Sequence, residues 1–502
     1  MNATEHTDVL VVGGGPVGLL LANELGARGV SVIVAEAAEN IRQEPRAGTL
    51  HARTVQSLTR RGYLRAPDTR SASASAAPFH FAGMPGLAIH APATEGPPLM
   101  NVPQSELERA LAELAGELGV DVRRGARATE LRREEHAVEV TVRSTRGEHR
   151  VRAGYVVGAD GARSTVRDRA GIGAATHPPN FAAVLGLVRL DRPGAIPGGW
   201  AHGPHGWTLV NPNPSGHSRV IVHDFRKPLP DHRSPVDLEE LRERTSSVLG
   251  FEVGMSDPAF LTRFSDFCRL VDSFRDGRVL LAGDAAHLHP PLGGQGLNLG
   301  LQDALNLGWK LALVISGSAP DSLLDTYHAE RHPAARRVVD NTRAQSALMH
   351  PGEEFDPLRD LFGELLNLRQ ANDHVQGLVS GQGVTYEALD SADTRHEGRF
   401  LTNVGVRTGQ AHTSVAELLT SGAGLLLLTP AAGAELADTA RQWKDRVDVR
   451  TVELDEEREW SAALVRPDGY LAWTNAAGGT SAESLREHLV HFFGPAGGRE
   501  NG

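Results

Sequence analysis

The chain has 502 residues, too many for one small core, and its 40% hydrophobic and 23% charged content is the balance of a soluble globular protein of two or three domains. A formal charge of −11, scattered basic residues and no apolar run near the roughly 20 residues that span a bilayer argue against nucleic-acid and membrane partners. Cys268 is the only cysteine, so internal disulfides and cysteine-based zinc are excluded and no metal site is expected; residues 1 to 8 lack the basic start and apolar stretch of a secretory signal, which points to a cytoplasmic location.

The first elements come from TDVLVVGGGPVGLLLANELGARGVSVIVAE. Val9 to Val12 predict a buried parallel strand, and Gly13, Gly15 and Gly18 follow in G-x-G-x-x-G spacing, with Pro16 and Val17 opening a helix. Gly13 permits the tight turn, Gly15 lets backbone approach a pyrophosphate, and Gly18 lets helix pack on strand. A second strand is expected over Val30 to Ala35, ending at Glu36, whose carboxylate suits the ribose hydroxyls of an adenine dinucleotide. The motif alone does not choose between FAD and NAD. No second G-x-G-x-x-G follows strand-like sequence, which disfavours separate FAD and NAD(P) domains.

EPRAGTLHARTVQSLTRRG then carries His51 with Arg46 and Arg53, on a loop entering a helix. NVPQSELERALAELAGELGV predicts a helix capped by a Ser105/Glu108 box, with Leu107, Leu111, Leu114 and Leu118 on one face and Gln104 at the entrance. Tyr155 to Val157 predict a strand that breaks into Asp160-Gly161, followed by Ser164 and Arg167, a candidate pyrophosphate clamp. From about 177 to 275 the segments AAVLGLVRL, GWTLVN and SRVIVHDF alternate and predict an antiparallel sheet, a wall for a second ligand; this stretch holds Trp200, Trp207, His202, His205, His217 and His223. Residues 283 to 310, GDAAHLHPPLGGQGLNLGLQDALNLGWK, set Asp284, His289, Pro290, Pro291 and several glycines before a helix that continues through Trp309.

Three motifs now stand in order: G-x-G-x-x-G with Glu36, Asp160-Gly161 and Gly283-Asp284. That trio, with PRAGTLHARTVQ and VPQSELERAL, resembles the class A flavoprotein monooxygenases, the p-hydroxybenzoate hydroxylase-like family, over roughly residues 7 to 345. The branch most similar to it hydroxylates aromatic polyketides of angucycline and anthracycline type. The tail, with GAGLLLLTP, DRVDVRTVEL and ALVRPDGYLAW, resembles that branch's thioredoxin-like C-terminal domain but has no cysteine, so its expected role is structural.

The resemblance implies an α/β chain with a Rossmann-type, GR2-like FAD-binding domain over 1–175 and 276–390, to which part of 70–100 adds on the substrate side. It also implies an inserted antiparallel-sheet substrate domain over 176–275 and a thioredoxin-like domain over 400–498. Gly13, Gly15, Pro16, Val17, Gly18 and Glu36 would hold the ADP half of FAD. Arg46, Gln104 and Asp160 would approach the ribityl and pyrophosphate region, Asp284 the ribityl chain, and the amides of Gly296, Leu297 and Asn298 the pyrimidine edge of the flavin. The implied reaction uses NAD(P)H, with NADPH favoured, and O₂. A C4a-hydroperoxyflavin then hydroxylates a polycyclic aromatic small molecule, in a monomer or homodimer. Candidates for contact with the substrate or the oxygen site are His51, Arg53, Trp207, His223 and His289, with the carbonyls of Pro290 and Pro291. Baeyer–Villiger or epoxidising chemistry on the same scaffold is the alternative, and a non-catalytic FAD-binding protein a further one. A flavin-dependent halogenase is disfavoured because no Trp stands in a W-x-W-x-I-P context.

Overall fold

A computed structural model of the chain describes residues 4–44, 47–64, 76–145, 147–226, 229, 234–389, 395–475 and 482–497. At its centre is an eight-stranded sheet in which Val279–Leu281, Gly147–Gly158, Glu5–Val12, Val32–Glu36 and Asp121–Arg124 lie side by side in that order, all parallel. Val9 to Val12 are buried, as expected for strands covered on both faces. The second strand starts at Val32 and not Val30, because the Val30 N–H turns back to the Leu25 carbonyl and finishes the preceding helix. The helix Gln104–Glu117 starts one residue before the expected cap. Pro103 takes the cap position with no side-chain bond, and Glu108 reaches Arg124 instead of closing a box with Ser105.

Two helices meet above this sheet. Pro16–Gly26 packs against Gln295–Ile315 where Gly300 faces Val17; a Cβ on Gly300 would lie 2.7 Å from Val17 Cγ2 and 3.1 Å from Gly283 Cα. Only a bare Cα permits that approach. The contact sets the two helix N-termini together at the carboxyl ends of the parallel strands, where open α/β sheets bind ligands.

The segment between Asp160-Gly161 and Gly283-Asp284 forms a five-stranded antiparallel sheet, in the order Gly199–Gly203, Gly206–Asn211, Ser218–Asp224, Ala182–Leu190 and Met255–Ser265. Alternation sorts its faces. Val184, Val210, Val220 and Val222 pack with Leu241 of the helix Leu238–Leu249, whereas Phe181, Ala183, Trp207 and Phe225 join a core that reaches Ala52 and Leu292 of the nucleotide-binding region.

Near the C-terminus, Val447–Thr451, Gly424–Leu428, Ala462–Val465 and Leu471–Thr474 form a four-stranded sheet with the helix Ala434–Ala440 between its first two strands in the chain. Buried charge ties this unit to the long helices. Arg466 donates to Glu330 Oε1 at 2.7 Å and to Asp468 at 2.6 Å, and Lys310 donates to Glu330 Oε2 at 2.8 Å. The Phe400 ring lies beneath both Arg53 and Arg60, at 3.5 and 4.2 Å from the guanidinium carbons. Among the described residues no helix is long and apolar enough to cross a membrane, and no group of three or more His, Cys, Asp or Glu is arranged to hold a metal ion.

Burial pushes the Glu330 carboxyl up, but Arg466 and Lys310 outweigh it and hold its pKa at about 2, against 4.5 when free. A depressed carboxylate stabilises the fold above the unfolded value and loses that stabilisation as pH falls through the folded one. Glu330→Gln is therefore expected to cost about 3–5 kcal/mol at neutral pH, with the gap in urea midpoint between variant and wild type narrowing as pH falls from about 4.5 toward about 2. Gly300→Val should cost about 1–3 kcal/mol by overpacking against Val17, measured in the same urea titration.

Candidate functional site

The first glycine turn is shaped by its own backbone. Gly13 has φ +108°, and a Cβ there would overlap the Ala159 carbonyl; a Cβ on Gly18 would overlap the Gly13 carbonyl. Gly15, the N-cap of Pro16–Gly26, has nothing within 4 Å of where its Cβ would be, so the open space lies in front of the helix N-terminus. Pro16 takes the first helical position, where its missing N–H costs nothing. The Val17 side chain packs against Gly283 and Gly300, while its backbone lies in the first turn of the helix. Glu36 accepts from the Gly14 N–H at 2.6 Å and the Ala38 N–H at 2.7 Å. Those bonds fix the carboxylate beside the turn and leave each oxygen a second lone pair.

Asp160 caps the helix Thr165–Ala170: its Oδ2 accepts from Thr165 N–H at 2.6 Å and Val166 N–H at 3.2 Å. Its Oδ1 is buried without a partner among the described residues, and burial raises the pKa of the carboxyl. Ser164 and Arg167 form no open clamp. Ser164 Oγ accepts from the Arg167 N–H, and the Arg167 guanidinium is taken up by Asp168 and the carbonyls of Ala162 and Ala285. Arg167 thus joins the Asp160 loop to the Asp284 loop.

The second glycine loop is braced from below. Asp303 Oδ2 accepts from the Gly283 N–H at 3.2 Å and pairs with His287 Nε2 at 2.7 Å, while its Oδ1 takes Arg331 Nε at 2.9 Å. Asp284 itself is exposed, just beyond the strand Val279–Leu281. The helix then begins at Gln295, so Gly296 and Leu297 are its second and third residues, whose N–H groups have no acceptor within a helix. Asn298 is one residue too far in for that and acts by its side chain: Oδ1 accepts from the His51 N–H at 2.8 Å, and Nδ2 donates to the carbonyls of Thr49 and Gly294 at 2.9 and 2.8 Å. His51 Nε2 donates to the Gly293 carbonyl at 2.7 Å. His289 Nδ1 donates to the Pro290 carbonyl at 2.9 Å, leaving its buried Nε2 without a partner among the described residues and 3.4 Å from where a Gly296 Cβ would stand.

Over this loop lies the aromatic face of the inserted sheet. Phe79 and His80 come from the hairpin Ala76–Phe81 and Met84–His90, whose turn presses Gly83 against Trp207. Phe79 meets His51 edge-on at 5.3 Å and stacks on His80 at 4.6 Å; His80 reaches Trp200 at 5.0 Å, and Trp200 reaches His223 at 5.3 Å. Burial lowers the imidazole pKa of His51, His80 and His289 to about 4 and of His223 to about 3.

Several of the expected site residues also have partners within the protein. Arg53 bonds Gln56 and the Gln382 carbonyl beneath Phe400, so it joins the C-terminal segment to the body of the protein. The Trp207 indole N–H is spent on the Met349 carbonyl at 2.8 Å. The Pro290 carbonyl accepts from His289 and the Pro291 carbonyl from the Gly294 N–H, which leaves each oxygen a second lone pair. Arg46 lies outside the described residues. Gln104, half-buried, starts its helix with its N–H on the Ala47 carbonyl. Sequence reasoning overlooked His80 and Asp303; the FHF triplet ahead of a two-residue turn was the available signal for His80, and a lone acid in an apolar helix the signal for Asp303.

The donors fit FAD: open space before one helix N-terminus beside a carboxylate, a buried unpartnered Asp160 oxygen, and a second helix N-terminus next to an unpartnered imidazole. Comparison with known proteins agrees. Residues 6–342 match the FAD binding domain family and residues 394–496 match the aromatic-ring hydroxylase C-terminal family. A protein of Streptomyces rimosus named 12-dehydrotetracycline 5-monooxygenase/anhydrotetracycline 6-monooxygenase is 38% identical, with 97% of this chain and 99% of that one covered. The dialkyldecalin synthase of Streptomyces rugosporus is 36% identical at the same coverage. The crystal structure of CabE, an aromatic hydroxylase from angucycline biosynthesis, superposes with a TM-score of 0.88 at 37% identity, covering 98% of this chain and 99% of that one. The chain therefore belongs to the FAD-binding aromatic-ring hydroxylases, a family of flavoprotein monooxygenases that use NAD(P)H and O₂.

Proposed function

We propose that this enzyme hydroxylates a polycyclic aromatic polyketide, a phenol or quinone, as a single-component tailoring enzyme of antibiotic biosynthesis that consumes NAD(P)H. The observation that carries the reading is the aromatic and histidine face of the inserted sheet standing over the second glycine loop. Its relatives' names support the substrate class. The proposed domains are a FAD-binding domain over 1–175 and 276–390, a substrate domain over 176–275, and a thioredoxin-like domain over 400–498. The last has no cysteine and serves to cover the long helices.

When bound and reduced, FAD supplies an activated oxygen derived from O₂. The chain's own residues bind, orient and keep water out. In this reading the Gly15 turn and the N-terminus of Pro16–Gly26 hold the pyrophosphate, and Glu36 accepts the ribose hydroxyls. Asp160 and Asp284 take polar groups between the ADP and flavin halves. The N–H groups of Gly296 and Leu297 stabilise negative charge at the pyrimidine edge without moving a proton; one such donor is worth about 3 kcal/mol elsewhere. The brace from Asp303 to Gly283 and from Asn298 to His51 holds those donors in place before the cofactor arrives. Phe79, Trp200 and Phe264 give the aromatic substrate an apolar surface and exclude bulk water.

The test is NADPH oxidation by the FAD-loaded protein with tetracyclic hydroxyquinones under labelled O₂, with products read by mass. A gain of one labelled oxygen on an aromatic carbon is the expected result. Ring expansion to a lactone, or a product of unchanged mass, overturns the proposal. Asp284→Ala should weaken FAD retention about 10- to 100-fold through loss of one charge-assisted hydrogen bond, measured as flavin content after gel filtration; undiminished content counts against the assignment.

A further inference from the structure

Four buried polar atoms lie around one patch of the aromatic face with no hydrogen-bond partner among the described residues: His51 Nδ1, His80 Nδ1, His223 Nδ1 and Trp200 Nε1. Buried donors and acceptors are ordinarily paired, and leaving one unmade costs free energy. Trp207, beside them, obeys the rule by donating to Met349. What sets these four apart is that successive ring contacts link them, His51 to Phe79 to His80 to Trp200 to His223, on the face that stands over the second glycine loop.

Sheet register explains why they converge. Trp207 opposes His223, Trp200 opposes Leu209 two residues on, and Phe264 and His223 both oppose Ala183, so these side chains share one face. The hairpin brings His80 across from that face, held by a turn in which the Ala82 N–H, at φ +53°, donates to Gln345 Oε1. The two kinds of group are complementary. His51 Nε2 must carry the proton because the Gly293 carbonyl only accepts, so its Nδ1 presents a lone pair; the Trp200 indole only donates. Burial keeps all three imidazoles neutral at physiological pH. Phe79, His80, Trp200 and Phe264 remain partly exposed, whereas His51 and His223 are closed off at 0% and 2%.

We propose that His80 and Trp200, the partly exposed members of this run, form a hydrogen-bonding wall that selects planar polycyclic ligands carrying a phenol hydroxyl and a quinone carbonyl side by side along one edge, with His51 and His223 closing the patch behind them. The hydroxyl donates to an imidazole lone pair and the carbonyl accepts from the Trp200 indole. The aromatic rings supply affinity for the flat body of the ligand, and the nitrogens supply selectivity. This rests on the hydroxylase reading of the same site for the class of ligand, and on nothing in its redox chemistry.

Binding to the FAD-loaded protein is measured by calorimetry with two probes: danthron, a dihydroxyanthraquinone, and unsubstituted anthraquinone. Wild type should prefer danthron. His80→Phe and Trp200→Phe, which keep a ring and remove the nitrogen, should each weaken danthron about 5- to 10-fold, the scale of one neutral hydrogen bond. Anthraquinone affinity, flavin content and circular dichroism should stay at wild-type values, and His80→Gln should recover part of the danthron preference. Equal loss of both probes in well-folded variants, unchanged danthron binding, or a wild type without preference overturns the proposal. Because no turnover is read, a protein that shows the preference yet adds no oxygen refutes the hydroxylase reading while this wall stands.

Discussion

The close packing of Pro16–Gly26 on Gln295–Ile315 is the constraint on which the rest of the molecule depends. Gly300 and Gly283 strip away the side-chain volume that would hold the helices apart, and Val17 fills the gap. Two glycine turns separated by most of the chain thereby meet at one edge of the parallel sheet. One helix N-terminus faces open space at Gly15, and the other presents Gly296 and Leu297. A single extended cofactor can be held at both ends only because backbone, not side chain, sets that spacing.

Around this axis the protein uses buried charge as a brace. Asp303, held by His287 and Arg331, fixes Gly283; Glu330, held by Lys310 and Arg466, fixes the C-terminal unit to the same pair of long helices. Such pairs add little stability compared with apolar packing of the same shape, but removing one partner is costly. They act here as positional constraints: a slipped helix would strand a charge, so only one register of the long helices is tolerated. Arg53 and Arg60 grip Phe400 in the same way from the opposite side.

The inserted sheet has the opposite character. Its face toward the glycine loops is rich in rings and imidazoles, with several nitrogens unpaired among the described residues. Rigid, charge-braced cofactor machinery is thus set against a surface whose polar groups await a partner. The core shared by Ala52, Leu292, Phe81 and Trp207 joins the two, so the wall cannot move without moving the loop beside His51 and Leu292.

Much of the candidate cofactor site was legible from residue order alone. Gly13, Gly15, Gly18, Glu36, Asp160 and Asp284 mark turns and strand ends whose shape depends on a few neighbouring residues. Alternation in AAVLGLVRL and SRVIVHDF likewise carries its own meaning, since it states which residues share a face. Roles that depend on distant partners were not legible. Nothing local showed that Arg53 would lie on Phe400 or that the Trp207 indole would donate to Met349, and the Ser105 box was misplaced because the helix starts at Gln104 with Pro103 as its cap. The sequence by itself determined the class of cofactor, the order of the motifs and the α/β plan, because each is written in short spacings. Only the tertiary structure decided that His51, His80 and His223 share one patch with Trp200, because strand register and hairpin docking are long-range choices that no local pattern encodes.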